Sequence, residues 1–519
     1  MFQHSWLNAF NKIGFMFKKF SISALLALLS GILMVYAVQN AIFWLTWLCL
    51  TPLFIAINNK TRKQMIILSI IFGASLHLGG CSWMVTGAAS FTKDGIFFGV
   101  LVLLAYTFFA TLIWMLFFFV ISWGKFLDKH SFIVKGLILA SLWVLVDAIK
   151  FIVFAGQPWM NFFVGLGIAK NIWAIQPAAY FGVHVITFVV VYVNYLFAAF
   201  FIELKWNKVI LPLSLIVGYL GIGGLMLYMY ESNPEPSRKP FKLAILAENI
   251  PPEVKWEANT GEALVADLLQ MNKIAVSLKS DMTLWSESSI PWKYTPGDDL
   301  LEEIHKISAP IGMTNLVGIN TGYSKKSMYN SIYCFLPDGS ISGRYDKYIG
   351  LDFIEVPVAG LIIPFFVGGS YVEIGHHPRP LDTPFGKAGV MICNESFVSE
   401  SALNIVNKGA EFLVNPSNDG WFSRFDIVYM HFYNARLRAV ETRKDLAINS
   451  NNGISGMVQS SGRIKFYRQD TQSFVKQVTI TPNKQVTLYS KLPYLFVYFC
   501  ITLLLVFFYF RFKPSKITD

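Results

Sequence analysis

Charged side chains are scarce in this chain. Asp, Glu, Lys and Arg make up 14% of its 519 residues, whereas hydrophobic residues make up 54% and aromatic residues 16%. An average soluble protein carries about 25% charged residues. The shortage of charge excludes a wholly soluble protein and predicts an integral membrane protein with room for one large soluble domain.

Cysteine is also rare, and its spacing excludes two kinds of site. The chain has five cysteines and no Cys-x-x-Cys pair, so neither a disulfide framework nor a cysteine metal pair is expected. Cys49, Cys81 and Cys500 fall in apolar segments, which leaves Cys334 and Cys393 in the polar part of the chain. A single disulfide between these two stays open if that part faces an oxidising compartment.

Nucleic-acid motifs are missing as well, although the formal net charge is +11. Lys and Arg do not cluster in a nucleic-acid-binding motif, and many of them lie beside apolar segments. This distribution is typical of charge that sets membrane topology. No nucleic-acid partner is therefore expected.

The chain does contain eight apolar runs long enough to cross about 30 Å of hydrocarbon as helices. The first run is followed at once by another and lacks a convincing cleavage site, so we expect it to be retained rather than removed as a signal peptide. The runs are 21–38, 41–57, 65–85, 95–123, 132–155, 174–202, 209–230 and 492–510.

The charges beside these runs predict which side of the membrane each loop faces. With eight spans the two chain ends share one side. Fourteen Lys and Arg flank the spans on that side, against only Lys93 and Lys170 in the short loops of the other. Because positive charge is retained in the cytoplasm, we expect both termini there and the large polar segment outside.

Two features of the fifth span and the loop after it are candidates for function. Asp147 and Lys150 lie three residues apart on one helical face, where charge is costly in lipid unless it is paired or near water. They form either a structural ion pair or part of a substrate path. Trp159, in the loop Gly-Gln-Pro-Trp, is suited to the headgroup level of the bilayer.

The polar segment has the pattern of an α/β domain, because runs of strand and helix type alternate along it. The expected organisation is a seven-helix membrane domain at 1–230, a proline-rich linker at 231–240, the α/β domain at 241–488, and an eighth helix with a tail at 489–519. One loop, 351–373, is rich in Phe, Ile, Val and Pro. It is either a lipid-contacting arm or a buried loop.

Cys393 ends an apolar strand, and two ionisable residues precede it at the ends of other strands. A thiol becomes a useful nucleophile when a base takes its proton, and the oxyanion that follows needs a positive charge. Glu287 can supply the base and Lys347 the charge. A lone Cys at a strand end is more often a core residue, so this interpretation depends on the three residues together.

This pattern resembles the nitrilase, or carbon–nitrogen hydrolase, superfamily, whose Glu-Lys-Cys triad has the same chain order. The matching motifs are Trp-Ser-Glu287-Ser, Tyr-Asp-Lys347 and Gly-Val-Met-Ile-Cys393-Asn-Glu. With seven spans before the domain and one after it, the chain is similar to the membrane-embedded branch of that superfamily, the bacterial apolipoprotein N-acyltransferases. Shorter matches are Ile-Pro-Pro-Glu-Val-Lys-Trp256, Asn-Pro-Ser-Asn-Asp-Gly-Trp421 and Gly-Gln-Pro-Trp159.

The resemblance implies an αββα sandwich outside the cytoplasm, carried by a helical bundle in the bacterial inner membrane. It implies that Glu287 is the general base, Lys347 stabilises the tetrahedral intermediate and Cys393 forms a thioester. The implied substrates are a membrane phospholipid as acyl donor and a diacylated lipoprotein as acceptor, with no metal or organic cofactor. The residues implied to support the site or position substrate are Glu355, Glu395, Asn394, Trp256, Trp421 and Trp159.

The chain departs from the family pattern in two places. The family's His-Leu-Val-Pro-Phe-Gly-Glu after the lysine is replaced by residues 348–355, and its Cys-Tyr-Glu by Cys393-Asn394-Glu395. These departures bear on lid shape and acyl-donor preference. Two other functions stay open: a membrane-tethered amidase or nitrilase that uses water as acceptor, and a catalytically silent membrane scaffold or transporter with a nitrilase-like domain.

Overall fold

The computed structural model describes residues 2–89, 95–123, 130–251, 258–358, 360, 371–420 and 425–512. The helices ahead of the first strand are α1 (Phe2–Gln39), α2 (Phe43–Thr46), α3 (Thr51–Ile57), α4 (Arg62–Gly80), α5 (Met84–Ala89), α6 (Gly95–Ser122), α7 (Phe132–Val153), α8 (Ala178–Glu203) and α9 (Asn207–Ser232). The later helices are α10 (Ala258–Ser277), α11 (Asp299–Ser308), α12 (Ser399–Asn407), α13 (Phe425–Thr442), α14 (Leu488–Lys491) and α15 (Leu495–Phe512).

Six of these helices are long and apolar enough to cross a membrane. They are residues 20–39 of α1, together with α4, α6, α7, α8 and α9. The predicted eighth span corresponds to α15, but its apolar part, Leu495–Tyr509, is shorter. Six of the eight predicted spans therefore have crossing length, and the count of eight stays a prediction.

The second predicted span is not a continuous helix. Residues 47–50 separate α2 from α3. The buried side chain of Asn194 in α8 accepts hydrogen bonds there from the backbone N–H groups of Leu50 at 2.8 Å and Thr51 at 3.1 Å. An amide oxygen thus replaces the helical acceptors that the break removes, as backbone polar groups away from water require.

The strands form two sheets in the α/β domain. The first has nine strands, with the order β15-β1-β2-β4-β5-β8 and with β3, β6 and β7 attached through β4 and β6. The second has six, in the order β14-β13-β12-β11-β10-β9. The strands are β1 (Phe241–Ala247), β2 (Met282–Leu284), β3 (Ile290–Lys293), β4 (Thr314–Gly322), β5 (Ser327–Tyr329), β6 (Ser331–Phe335), β7 (Ile341–Asp346), β8 (Tyr371–Glu373), β9 (Leu381–Thr383), β10 (Gly386–Val390), β11 (Phe412–Asn418), β12 (Leu446–Asn451), β13 (Ile454–Val458), β14 (Ile464–Gln469) and β15 (Phe474–Ile480).

The two sheets pack face to face, with helices on their outer faces. Apolar side chains of β1 and β2 share one core with those of β10 and β11. The buried amide of Asn449 joins the sheets by donating to the carbonyl oxygens of Leu246 at 2.6 Å and Leu284 at 2.9 Å. α10 and α11 cover the first sheet, and α12 and α13 cover the second. The layers follow the predicted αββα order.

The α/β domain is attached to the membrane helices through buried polar contacts. Arg436 in α13 donates to the carbonyl oxygens of Ala169 at 2.7 Å and Lys170 at 3.0 Å, ahead of α8. Arg443 donates to the side chain of Gln176 at 2.8 Å. Hydrogen bonds from a buried guanidinium group are short and directional, so they fix the domain against the bundle.

Candidate active site

A cavity of about 880 Å³ lies between the membrane helices and the α/β domain, and we call it the interdomain cavity. Glu287, Lys347 and Cys393, which are far apart in the sequence, all line it. Side chains from α5 and α6, from the residue before α5 and from the segment after α7 also line it, and these are mostly apolar. They include Trp83, Met84, Val102, Phe109, Phe154 and Met160.

Cys393 lies three residues beyond the end of β10 and has a φ angle of +51°. This left-handed conformation costs a residue other than glycine about 1–2 kcal/mol. The carbonyl oxygen of Cys393 accepts hydrogen bonds from Asn415 Nδ2 at 3.3 Å, Ser396 Oγ at 3.2 Å and His431 Nε2 at 2.9 Å. These three donors stabilise the turn that places the thiol at the cavity wall.

The Cys393 thiol keeps its proton in the resting site. Burial raises the pKa of the thiol well above its usual value, and the negative charge of Glu287 raises it further. The positive charge of Lys347 lowers the pKa only in part. Since the thiolate is the reactive form, the nucleophile depends on a base in the same cavity, and Glu287 is there to act as one.

Lys347 is 1% exposed and lies between two carboxylates. Its Nζ donates to Glu287 at 3.2 Å and to Glu355 at 3.0 Å. Burial alone would lower the pKa of Lys347, but the two carboxylates outweigh it and hold the pKa above its usual value. Lys347 therefore supplies a permanent positive charge, which a developing oxyanion requires.

Glu287 is oriented by two further donors that the sequence did not single out. Its Oε1 accepts a hydrogen bond from Asn330 Nδ2 at 2.7 Å, and its Oε2 accepts one from the backbone N–H of Asn418 at 2.9 Å. Both oxygens are thus fixed by β11 and by the residue between β5 and β6. The carboxylate is held in one orientation, as a proton-transfer group needs to be.

Glu395 joins the segment after Lys347 to the strand that carries Cys393. It is fully buried, and its carboxylate accepts from the backbone N–H groups of Tyr348 at 2.7 Å, Ile349 at 3.0 Å and Ile392 at 2.6 Å, and from the Tyr345 hydroxyl at 3.0 Å. Burial raises the pKa of Glu395 to about 7, while the backbone donors act to lower it. Its contacts are structural rather than with the cavity.

Asn394 is also buried and contacts the same segment. Its Nδ2 donates to the carbonyl oxygen of Ile349 at 3.0 Å. Together with Glu395, it fixes the two loops that carry the candidate nucleophile and the candidate oxyanion-binding lysine.

The beginning of the apolar loop predicted at 351–373 closes the interdomain cavity. Leu351 donates its N–H to the Glu355 carboxylate at 2.8 Å. The N–H of Asp352 donates to the carbonyl oxygen of Gly156 at 2.9 Å, and Gln157 Nε2 donates to the Asp352 carboxylate at 3.2 Å. This part of the loop is therefore packed against the membrane domain. Residues 359 and 361–370 lie outside the described residues, so the lipid-arm hypothesis for them stays a prediction.

The three predicted tryptophans have different outcomes. Trp159 is 9% exposed and lines the interdomain cavity, with its ring 5.7 Å from that of Trp83 in an edge-to-face contact. Its carbonyl oxygen accepts a hydrogen bond from the Tyr106 hydroxyl at 3.3 Å. Trp159 is thus part of the cavity wall. Trp256 and Trp421 lie outside the described residues, and their supporting roles stay predictions.

A buried histidine–aspartate pair behind Cys393 was missed by the sequence reasoning. His431 Nδ1 lies 2.9 Å from the Asp419 carboxylate, and its Nε2 lies 2.9 Å from the carbonyl oxygen of Cys393. Burial lowers the pKa of His431, but Asp419 outweighs it and the pKa is raised. Because both partners are acceptors, both ring nitrogens donate, so the ring is an imidazolium. His431 can be recognised as part of the site only from the structure, because its helix packs beneath the turn that carries Cys393.

Two other sequence candidates lie away from the chemistry. Asp147 and Lys150 form a buried ion pair of 2.8 Å, and Lys150 also donates to the carbonyl oxygen of Phe162 at 3.2 Å. Neither lines the interdomain cavity, so the ion pair is structural there. Cys334 and Cys393 are both free thiols, and no disulfide joins them. Among the described residues, no group of three or more His, Cys, Asp or Glu side chains is arranged to hold a metal ion.

Comparison with known proteins covers both parts of the chain. Residues 30–196 match the family described as apolipoprotein N-acyltransferase N-terminal domain, and residues 243–475 match the carbon–nitrogen hydrolase family. The apolipoprotein N-acyltransferase of Geobacter metallireducens is 25% identical over 495 residues, which cover 92% of this chain and 93% of that protein. The one from Haemophilus influenzae is 26% identical over 504 residues, which cover 92% of each.

Among solved structures, the α/β domain is similar to a carbon–nitrogen hydrolase from Helicobacter pylori G27. The two share 16% identity with a TM-score of 0.37, and the match covers 53% of this chain and 96% of the other. The sequence relatives extend well beyond this domain. They confirm the resemblance that the Glu-Lys-Cys motifs and the apolar runs predicted.

Proposed function

Because the chain belongs to the apolipoprotein N-acyltransferase family, we propose that it is an N-acyltransferase acting on bacterial lipoproteins. It moves an acyl chain from a membrane phospholipid to the α-amino group of the S-diacylglyceryl-cysteine at a lipoprotein N-terminus. The observation that carries this proposal is the interdomain cavity, which brings Glu287, Lys347 and Cys393 together with a wall made from membrane helices.

The first half of the reaction forms a thioester. Glu287 takes the proton of the Cys393 thiol as the sulfur attacks the carbonyl carbon of the phospholipid ester. Lys347 stabilises the oxyanion of the tetrahedral intermediate. When the ester C–O bond breaks, Glu287 returns the proton to the departing oxygen, which leaves as the hydroxyl group of a lysophospholipid.

The second half transfers the acyl chain to nitrogen. The free α-amine attacks the thioester carbonyl carbon, and Glu287 takes a proton from that nitrogen. The C–S bond then breaks and the sulfur regains its proton, which leaves an amide on the lipoprotein and restores Cys393. Glu355 keeps Lys347 in position through both halves by its 3.0 Å contact. This sequence of steps requires no metal or organic cofactor.

The walls of the interdomain cavity favour a lipid over a water-soluble substrate. Phe109 in α6 and Met84 in α5 belong to the membrane part of the chain and face the same space as Cys393. Ligand sites are matched to their ligands chiefly by apolar surface with a few placed polar groups. An acyl chain fits this description, with its ester carbon at the polar end.

The proposal includes the topology predicted from charge. Eight spans place both termini in the cytoplasm and the α/β domain on the outer side of the inner membrane, with the four-part division at 1–230, 231–240, 241–488 and 489–519. Fourteen flanking Lys and Arg on one side against two on the other support this orientation. A cysteine introduced in the domain that is labelled only after the cytoplasmic face is exposed would contradict it.

A two-step labelling experiment tests the reaction. Purified protein is incubated with vesicles that contain a phospholipid with a labelled acyl chain, and we expect a protein adduct that hydroxylamine removes. Cys393→Ala should abolish the adduct, whereas Cys334→Ala, which removes another buried thiol of the same domain, should leave it intact.

A diacylated lipopeptide is then added to the labelled protein. Transfer of label to the peptide amine supports the acyltransferase. Release of free fatty acid without transfer would instead favour the amidase-like function with water as acceptor. Absence of any adduct in the wild-type protein would refute the thioester mechanism and favour a silent scaffold.

A further inference from the structure

Glu248 is a buried carboxyl group of the interdomain cavity that the reaction above does not use. It follows β1 directly, is 5% exposed and lines the cavity. Its Oε1 accepts a hydrogen bond from the backbone N–H of Ser286 at 3.2 Å. The Ser286 side chain also acts on this carboxyl group and lowers its pKa, but Oε2 has no hydrogen-bond partner of good geometry in the described part of the chain. A buried carboxylate oxygen without a donor is costly, which points to a partner that arrives from outside.

The fold places this free oxygen at the reacting end of the cavity. β1 and β2 are adjacent parallel strands, with Ile245 paired to Leu284, so their carboxyl ends share one edge of the sheet. Glu248 follows the first strand and Glu287 follows the second. Both contribute to the same wall as Cys393. A group bound by Glu248 would therefore lie in the chamber where the acyl chain is transferred.

The charges that line the cavity favour a cation. Four carboxyl groups face it, and Lys347 is the single basic side chain among the described lining residues. Lys347 donates hydrogen bonds to the carboxylates of Glu287 and Glu355, so its positive charge is already balanced by these two groups. Glu248 and Asp352 are left over. Like charges in a confined space are relieved by a bound positive group.

We propose that Glu248 binds a primary ammonium group of the substrate inside the interdomain cavity. This inference deepens the proposed function and rests on it, because the acceptor of that reaction is an amine. The shared chemistry has two sources. One is the α-ammonium of the lipoprotein acceptor, and the other is the headgroup of a donor phospholipid that carries an aminoethyl group.

The protonation of the two partners is consistent with such a pair. An α-amino group has an ordinary pKa of about 7.7–8.0, so it reaches the site mostly as an ammonium ion near neutral pH. Burial raises the pKa of Glu248 to about 7, and a nearby ammonium would stabilise its ionised form. The pair forms a charge-assisted hydrogen bond at the free Oε2. When the bound group is the acceptor, it releases one proton to solvent before the free amine attacks the thioester, as the transfer described above requires.

Glu248→Gln removes the negative charge of this side chain while keeping its size and shape. The glutamine keeps a side-chain oxygen that can accept the N–H of Ser286, but it has no charge to bind an ammonium. The matched control is Glu262→Gln, an exposed position in α10. Each purified protein is assayed for thioester formation from vesicles of an aminoethyl phospholipid, for thioester formation from vesicles of a glycerol-headgroup phospholipid, and for transfer from the preformed thioester to a diacylated lipopeptide.

The three assays distinguish the two sources of ammonium. If Glu248 binds the acceptor, the KM for the lipopeptide rises about tenfold or more in Glu248→Gln, the loss expected for a hydrogen bond to a charged group, and both thioester assays stay at wild-type rates. If Glu248 binds the donor headgroup, only thioester formation from the aminoethyl lipid becomes slower. Either result supports the inference.

Other outcomes overturn it. Glu248→Gln with wild-type behaviour in all three assays means that no ammonium is bound there. An equal loss in all three, with a lower thermal midpoint than Glu262→Gln, means that Glu248 only stabilises the fold. A wild-type protein that forms no thioester refutes the proposed function and this inference with it, whereas a wild-type protein active in all assays leaves the proposed function intact whatever Glu248→Gln does.

Discussion

The side-chain amide of Asn394 donates a hydrogen bond to the backbone carbonyl oxygen of Ile349 at 3.0 Å. These two residues belong to the two places where the chain departs from the family pattern, one beside the nucleophile and the other after Lys347. The departures therefore meet in space. Asn394, which replaces the family's tyrosine beside Cys393, thus bonds to the backbone of the other divergent segment. Glu287, Lys347 and Cys393 still line one cavity.

Asn394→Ala should loosen the join between these two loops. The variant loses one buried hydrogen bond, which is worth about 1 kcal/mol of stability, and it leaves the Ile349 carbonyl oxygen without this donor. We expect thioester formation to slow severalfold, with a smaller change in the KM for phospholipid. Single-turnover labelling with acyl-labelled vesicles measures both. A variant with altered KM and an unchanged maximal rate would show that Asn394 acts on lipid binding instead.

The reactivity of the Cys393 thiol should respond in opposite directions to its two charged neighbours. Glu287 raises the pKa of the thiol and Lys347 lowers it. Glu287→Gln should therefore move the pH profile of iodoacetamide labelling to lower pH, and Lys347→Met should move it to higher pH. Mass spectrometry of the Cys393 peptide measures the profile. Acyl transfer should be lost in both variants, because a more reactive thiol does not replace the proton acceptor.

These opposite effects of charge on the thiol would be contradicted if the labelling profiles of both variants moved in the same direction. If both variants move the labelling profile in the same direction, altered access to the cavity rather than charge controls the thiol. Cys393→Ser provides the blank for modification at the other cysteines.

Asp419→Asn should slow thioester formation although the side chain does not contact the substrate. Neither Asp419 nor His431 lines the interdomain cavity, but His431 donates to the carbonyl oxygen of Cys393. Loss of the carboxylate lowers the pKa of His431, so the ring loses a proton and one of its two donors. We expect the maximal rate of thioester formation to fall about tenfold while the KM for phospholipid stays near the wild-type value.

The same pair predicts a change in pH dependence. The raised pKa of His431 contributes stability that is fully present below the unfolded pKa of about 6.5 and is lost as the pH rises through the folded value. The thermal midpoint of the wild-type protein should therefore fall more steeply above pH 6.5 than that of Asp419→Asn. Parallel curves would mean that the pair does not titrate in this range.

Gly156→Ala should separate the membrane domain from the segment that closes the cavity. A Cβ at this position would collide with the Asp352 carboxylate, which is held by Gln157. We expect acyl transfer from vesicles to fall about tenfold or more, because small displacements of positioning elements are costly. Gly218→Ala in α9 is the matched control, since a Cβ there meets open space. Equal activity of the two variants would rule out a role for this contact.

Glu248 should make the protein less stable as the pH rises. Burial raises its pKa from 4.5 to about 7, so the folded state binds the proton more tightly than the unfolded state. The stability that it contributes is present below about pH 4.5 and is lost as the pH approaches 7. Glu248→Gln cannot ionise, and it should gain roughly 3 kcal/mol on the wild type across this range.

Thermal midpoints in detergent between pH 4 and pH 8 measure that gain. Glu262→Gln should follow the wild type at every pH. A constant difference between Glu248→Gln and the wild type would show that Glu248 does not change its protonation between the two limits.

The sequence predicts the strand ends of the site better than the supports beneath them. Glu287, Lys347 and Cys393 each follow a run of strand type, and the resemblance to a known triad predicted their grouping, although β2 and β7 lie in one sheet and β10 lies in the other. Asp419 and His431 were not, because a helix residue that bonds to a backbone carbonyl oxygen leaves no spacing rule in the chain. Glu248 also follows a strand, but it has no partner motif to mark it.

Hydropathy likewise predicts most helices but not their interruptions. An average over 41–57 is apolar whether or not the chain is helical throughout. The break at residues 47–50 depends on Asn194, which lies more than 140 residues later and supplies acceptors to Leu50 and Thr51. A contact of that range becomes visible only when α3 and α8 are packed together.

The attachment of Arg436 and Arg443 to the bundle has a consequence for dissecting this enzyme. Arg436 in α13 and Arg443, the residue after α13, both donate to acceptors that belong to residues 169–176. A fragment beginning at Phe241 would lose these acceptors and would expose apolar side chains of α13 that share one core with the membrane helices. Such a truncated domain should aggregate on expression, because the apolar surface that the membrane helices now cover would be open to water.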